Sequence, residues 1–321
     1  MNILIVGGAG YIGSHMVKAL NEKKCNITVL DNLSSGHRDA VLAGQLVVGD
    51  LSDLGLLDKI FADNTFDVVM HFASSIMVGE SVEKPSLYYR NNVTNTQNLL
   101  DAMVKHDVKQ FIFSSTAAIF GEPEYTPIDE KHPKTPINPY GRSKWMVEQI
   151  LEDYDRAYGL KSICLRYFNA AGADSEGQLG ERHDPETHLI PLVLQAASGN
   201  RDAITVFGRD YDTEDGTCIR DYIHVADLCQ AHWLAIQNLQ KHGNSGRYNL
   251  GNGNGFSVKQ VIDVCLEVTG MEIKVTEGER REGDPAVLVA DSSLARSVLG
   301  WQPQYGDLES IVSHAWVWEN R

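Results

Sequence analysis

Short apolar runs rich in β-branched residues alternate with helical patterns through the first half of the chain. Ile3–Val6, Ile27–Leu30, Leu46–Val48, Val68–His71, Phe111–Ser114 and Ser162–Arg166 are brief and almost continuously apolar. That pattern predicts parallel strands buried on both faces. Between them, 12–22, 54–61, 92–105 and 144–158 read as helices. Strand and helix in alternation predict an α/β fold built on a doubly wound parallel sheet.

After about Asn169 the pattern changes. The stretch Ala170 to Pro185 is rich in Gly, Ala and charge, and is expected to be loop. From Leu189 onward the expected elements are shorter and mixed, with turns at Gly199-Asn200, 251–255 and Gly283-Asp284-Pro285. The expected division is therefore a larger domain over 1–169 and a smaller mixed α/β domain over 170–321. Ile223–Val225 and the helix that follows, through Ala235, are expected to cross back to the first domain near 218–240.

Composition narrows the partners. A formal charge of −15 disfavours nucleic acid and anionic membranes, and it means that an anionic ligand needs local Arg or Lys. The five cysteines are odd in number and form no C-x-x-C pair, as expected of reduced cytosolic thiols. No apolar stretch approaches the roughly 18 residues of a membrane span. Met1-Asn2 leads straight into the first strand, so a cytoplasmic chain without a signal peptide is expected.

Two motifs carry chemistry. Gly7, Gly8, Gly10 and Gly13 follow the first strand and open the first helix in a G-x-G-x-x-G pattern. Glycine allows the tight turn and close approach of backbone to a pyrophosphate, and the helix end supplies N–H groups and a positive dipole. Asp31 ends the second strand, eighteen residues past Gly13, where a carboxylate accepts ribose hydroxyls and repels a 2′-phosphate. NAD is therefore expected over NADP, with Arg38 nearby as the one contrary feature. Asp50-Leu51, at the end of the third strand, is placed to touch the adenine.

The second motif is Tyr140-Gly141-Arg142-Ser143-Lys144, a phenol and an ammonium one helical turn apart. A tyrosine titrates near ~10, and lowering that by about 3 units takes about 4 kcal/mol of preferential phenolate stabilisation. Lys144 and a cationic nicotinamide are the expected sources. Ser114-Ser115-Thr116, at a strand end between the two motifs, offers a Thr116 hydroxyl for the same substrate oxygen.

With these residues the chain is similar to the extended short-chain dehydrogenase/reductase superfamily, and within it resembles the UDP-glucose 4-epimerases. The resemblance runs over essentially the whole length. It rests on GGAGYIGSH at 7–15, DNLSSG at 31–36, HFAS at 71–74, VGES at 78–81, YYRNNV at 88–93 and SSTAAIFG at 114–121. It continues through PYGRSK at 139–144, LRYFNAAGA at 165–173, YDTEDGTCIRDYIHVADL at 211–228 and RREGDPA at 280–286.

The resemblance implies a Rossmann domain, a UDP-sugar substrate, NAD used without being consumed, and a homodimer. It implies that Tyr140 is the base, with Lys144 and Thr116 as catalytic partners. Gly7, Gly10, Tyr11, Ile12, Gly13, Asp31, Asn32, Asp50, Leu51, Phe72, Ala73, Asn91, Ser114, Tyr140, Lys144 and Tyr167 would line the cofactor. Thr116, Tyr140, Asn169, Phe207, Arg220, Arg281 and Asp284 would touch the substrate, with Arg220 and Arg281 clamping its diphosphate.

Some relatives carry a lysine where this chain has Ile76, which implies slightly different cofactor contacts. Sister enzymes that eliminate from the 4-keto sugar need an acid after the threonine, and here Ala117 and Ala118 follow. The position against the sugar's 2-substituent is Leu288, or Val287 by a one-residue shift. UDP-glucose and UDP-galactose are the expected pair, with N-acetylated sugars or pentoses as alternatives. Glu181, His183, Asp184, Glu186 and His188 are read as a mobile polar loop rather than a metal site, because hydride chemistry needs no metal.

Overall fold

The computed structural model describes residues 1–281 and 284–321. The strands are β1 (Asn2–Val6), β2 (Asn26–Asp31), β3 (Gln45–Val48), β4 (Val68–His71), β5 (Gln110–Thr116), β6 (Lys161–Tyr167) and β7 (Asn169–Ala171). They continue as β8 (Ile204–Phe207), β9 (Ile219–His224), β10 (Gly246–Leu250), β11 (Gly255–Ser257), β12 (Val275–Gly278) and β13 (Val287–Leu288). The helices begin with α1 (Tyr11–Glu22), α2 (Leu54–Asp63), α3 (Val78–Glu83), α4 (Pro85–Tyr88), α5 (Asn95–Lys105) and α6 (Pro139–Tyr158). Then come α7 (Leu189–Ala197), α8 (Val225–His242), α9 (Val258–Thr269), α10 (Ser293–Leu299) and α11 (Leu308–Glu319).

Among the described residues the main sheet is seven-stranded, in the order β10-β6-β5-β4-β1-β2-β3. The pairings of β1 with β2 and β4, of β2 with β3 and of β4 with β5 are parallel. This is the expected doubly wound Rossmann sheet, and its order reverses between β1 and β4. A ligand crevice forms at such a reversal because the connecting loops diverge there.

The chain divides into two compact units. One comprises 1–121, 134–166 and 229–248, and the other 122–133, 167–228 and 249–321. The first unit's core packs Leu4, Val69, Phe111, Phe113, Leu99 and Val147 between sheet and helices. Each such fully buried side chain is worth about 1.5–3 kcal/mol relative to exposure. The second unit has its own core, in which Val193, Ile204, Val261, Ile311 and Val312 join α7, α9 and α11. There β9 pairs with β7, β11 and β13, and β8 pairs with β12.

Local sequence explains the element ends that matter for function. Asp53 caps α2 by accepting from Leu56 N at 2.9 Å, and Asn138 caps α6 by accepting from Gly141 N at 2.8 Å. Pro139 stands at the first position of α6, and Gly159 ends that helix at φ 68°. The helix expected over 92–105 is a π-helical turn, Tyr89–Thr94, followed by α5. The turn coincides with a buried asparagine, Asn92, and wide turns of this kind recur at functional positions. The helix expected from Lys144 starts five residues earlier, because Asn138 and Pro139 are a cap and a first-turn residue. The loop expected from Ala170 is interrupted by β7, whose Asn169–Ala171 pairs in parallel with 222–224 of β9. Of the turn expected at 283–285, Gly283 lies outside the described residues.

Candidate active site

The glycine loop joins β1 to α1. Gly7 has φ +81°, and a Cβ on it would fall 2.4 Å from the Ala73 nitrogen. A Cβ on Gly13 would fall 2.1 Å from the Gly7 oxygen, so these positions exclude any side chain. Gly10 differs. Its Cβ would meet only the Gly7 oxygen, at an ordinary 3.5 Å, so sterics within the protein do not demand glycine there. It is the N-cap of α1, no side chain caps that end, and the first turn holds no acid. A bare, positively polarised helix end beside a side-chain-free position fits a pyrophosphate.

Asp31 is buried at the end of β2. One carboxylate oxygen accepts from Ala9 N at 2.9 Å and the other from Leu33 N at 2.8 Å. It therefore also fixes the glycine loop, a second task that spacing alone does not reveal. Asn32 donates to Asp50 at 2.6 Å, and Ser52 N donates to the same carboxylate at 2.9 Å. Hydrogen bonds from Ser52, then Asn32, outweigh the cost of burial and hold the Asp50 carboxyl below the usual range. Leu51 is buried beside it. Phe72 and Ala73 leave β4 with both backbone N–H groups donating to the Val6 oxygen, at 2.8 and 3.1 Å. Asn91 donates to Ser75 Oγ at 3.2 Å. Tyr167, half-buried, ends β6, and Ile76 is 38% exposed. Asp31, Phe72 and Ala73 thus stand at or just beyond the carboxyl ends of β2 and β4, the two neighbours of β1 in the sheet.

Tyr140 lies in the first turn of α6, and Thr116 ends β5. Burial pushes the phenol up, and the Thr116 hydroxyl works the other way. Thr116 Oγ1 also accepts from Ala118 N at 3.1 Å, which fixes its rotamer. Lys144 Nζ donates to the Ser114 carbonyl at 2.9 Å and lies 4.9 Å from the Phe113 ring centroid. It is 3% exposed, and burial pushes it down to about 7. Ser114 Oγ lies 3.4 Å from His232 Nε2, and that imidazole faces the Phe72 ring at 4.9 Å.

Two supports of this triad escape a reading by motifs. Asn92, buried in the π turn, donates to Ser75 O and to Ser143 Oγ, each at 3.0 Å. Ser143 in turn donates to the Tyr140 carbonyl at 2.7 Å, so the π turn holds the first turn of α6. Glu148, one turn beyond Lys144, is fully buried. It accepts from Ser115 Oγ at 2.6 Å and binds Arg166 through two bonds of 2.9 and 2.6 Å. An acid on the buried face of a helix, and an arginine in an apolar strand, were the readable signals. A pair so buried needs complete hydrogen bonding, and the two-bond geometry supplies it.

In the second unit, Arg220 of β9 donates to Pro285 O at 2.8 Å and to Asp284 at 3.4 Å. Opposite it in the β9–β13 register is Leu288, with Val287 opposite Ile219. The Arg281 guanidinium stacks on Phe207, 4.0 Å from its centroid. Asn169 donates to Asp221 O at 3.0 Å. The unit thus pairs Arg220 with Asp284, and Arg281 with Phe207.

The segment read as a mobile polar loop converges on a compact cluster. His183 Nδ1 lies 3.1 Å from Glu181 and 3.5 Å from Glu186, and His188 Nδ1 lies 2.8 and 2.9 Å from the same two carboxylates. Burial opposes the charge on both imidazoles, but the paired carboxylates outweigh it and raise them to about 9 and about 10.

Comparison with known proteins gives consistent matches. Residues 3–251 match the model of the NAD dependent epimerase/dehydratase family. The chain is similar to the UDP-glucose 4-epimerase of Halalkalibacterium halodurans, 54% identical over 99% of this chain and 95% of the relative. It superposes on the UDP-glucose 4-epimerase of Brucella ovis in complex with NAD with a TM-score of 0.96, at 49% identity, covering 98% and 97% of the two chains. The UDP-Glc/GlcNAc 4-epimerase of Campylobacter jejuni superposes with a TM-score of 0.88 at 46% identity, covering 99% of each.

Proposed function

The chain belongs to the NAD dependent epimerase/dehydratase family, and on that premise we propose that it interconverts UDP-galactose and UDP-glucose by inverting C4 through a 4-keto sugar. The observation that carries this reading is Tyr140 in the first turn of α6 with Lys144 buried one turn further on and bonded to the Ser114 carbonyl, on a sheet whose glycine loop fits a pyrophosphate.

The glycine loop, Asp31, Asp50, Phe72 and Lys144 would hold NAD, which when bound would supply a reversible hydride acceptor and a positive charge that favours the phenolate. Tyr140 takes the proton from the sugar 4-hydroxyl and later returns it. Thr116 hydrogen-bonds the same oxygen and keeps the phenol aimed at it. Lys144 anchors the end of β5 through the Ser114 carbonyl. The ketone turns about its link to the diphosphate before the proton returns, and Arg220 and Arg281 hold the diphosphate meanwhile. Elimination needs an acid beside Thr116, where this chain has Ala117 and Ala118, so the reaction stops at epimerisation.

Leu288, opposite Arg220, is of intermediate size. It supports UDP-glucose and UDP-galactose as the main pair, with slower turnover of the N-acetylated sugars. We place the protein in the cytoplasm as a homodimer. Among the described residues no helix is long and apolar enough to cross a membrane, and Met146 and Tyr158 leave apolar surface exposed on α6.

The test is incubation of purified protein with UDP-galactose and no added NAD. UDP-glucose should accumulate to an equilibrium mixture without net reduced nicotinamide. Net reduction on adding NAD would make the protein a dehydrogenase, and inertness toward every UDP-hexose would remove the reading.

A further inference from the structure

Outside the proposed chemistry and among the described residues, four metal-ligating side chains come together: Glu181, His183, Glu186 and His188. Their ligand atoms all lie within 4.8 Å of one another. We propose that these four residues form a structural site for a single zinc-class divalent cation.

Geometry and donor type both favour it. Ligands on a tetrahedral zinc, with bonds of about 2.0–2.2 Å, stand about 3.4 Å apart. The two imidazole nitrogens are already 2.8–3.5 Å from the two carboxylates. Small rotations of side chains suffice to surround an ion. Two nitrogen donors select zinc and its transition-metal neighbours over calcium or magnesium, which take all-oxygen sets.

The surroundings hold the ligands in place. The Trp318 indole on α11 donates to Glu181 O at 3.0 Å, and Gly180 lies so close under that ring that a Cβ there would meet it at 2.2 Å. The Thr187 and His188 backbone N–H groups donate to Glu186 at 2.7 and 2.8 Å. His188 is also the N-cap of α7. Both carboxylates are 6% exposed, whereas His183 and His188 keep 21% and 38% of their side chains accessible, so an ion can enter.

A bound ion would clamp the segment before α7 without touching Tyr140, and the proposal is independent of the reaction assigned above. The experiment strips the full-length protein with a chelator, dialyses it against micromolar zinc chloride, and measures bound metal by mass spectrometry and unfolding temperature by calorimetry. About one zinc per chain and a raised Tm are expected. Both should be lost in His183→Ala/His188→Ala and in the more conservative Glu186→Gln, and kept in the exposed control His242→Ala. Circular dichroism of each variant shows that it is folded. Failure of the wild type to load zinc, or loading that survives the double substitution, would overturn the proposal.

Discussion

Tyr140 and Lys144 are a familiar spacing, but their environments set their roles. The phenol is pushed up by burial and relieved by Thr116, while the ammonium is spent on the Ser114 carbonyl. Tyr140→Phe should lower kcat by about 10²–10⁴-fold, with cofactor retained and unfolding unchanged, as read by steady-state kinetics and cofactor absorbance. Lys144 makes a second prediction through linkage. Its folded value is about 7, whereas an unfolded lysine titrates near ~10.4. Between those values the unfolded chain holds a proton that the folded chain lacks. The Lys144 contribution to the stability of the cofactor-free protein should therefore rise with pH across that window, against the opposite contribution of His183 and His188, whose raised values lose stabilisation there. It is read as the difference between wild type and Lys144→Met, in which that contribution should disappear from the slope and the Tm near pH 6.5 should rise by a few degrees while turnover is lost. A variant that melts lower with an unchanged slope would contradict the burial cost.

At the scale of elements, the glycine loop separates packing from binding. Gly13→Ala sets a methyl against the Gly7 carbonyl, so it should cost several kcal/mol of stability, visible in the Tm. Gly10→Ala has room inside the protein but obstructs the end of α1. It should leave the Tm of cofactor-free protein nearly unchanged and weaken NAD binding by at least tenfold, measured by calorimetric titration. The strand–helix alternation was legible because buried parallel strands are written as continuous apolar runs. The same clarity did not extend to α3, α4 and the π turn. That region is held by Asn92, Ser75 and Tyr88 through polar bonds, which leave no hydrophobic period. Glu148 and Arg166 were equally hard to read, since their partnership spans eighteen residues and appears only when α6 packs on the sheet. Glu148→Gln should cost about 3–5 kcal/mol by leaving Arg166 buried without its counter-charge, a loss readable in urea unfolding.

For the whole molecule, the net charge of −15 disfavours polyanionic partners. Arg220 is bonded to Asp284 and Arg281 is stacked on Phe207, the two guanidiniums proposed to meet the diphosphate. Motif residues nominated the side chains proposed to meet a nucleotide sugar. They did not tell that residues 122–133 fold with the second unit rather than the first. That segment joins through the Ile128 N–H, which donates to Val289 O at 2.8 Å, a contact 161 residues away in sequence with no local signature. Light scattering of the purified protein should give twice the 35.5 kDa chain mass, and a monomer at micromolar concentration would remove the homodimer.

In the reaction proposed above, the hydrogen leaving C4 returns to C4 within one enzyme molecule. Proton NMR of UDP-galactose turnover in D₂O, with no added NAD, reads this out. UDP-glucose carrying protium at C4, with no build-up of solvent deuterium there, is expected. Deuterium at C4 of the product, or no conversion at all, would contradict it.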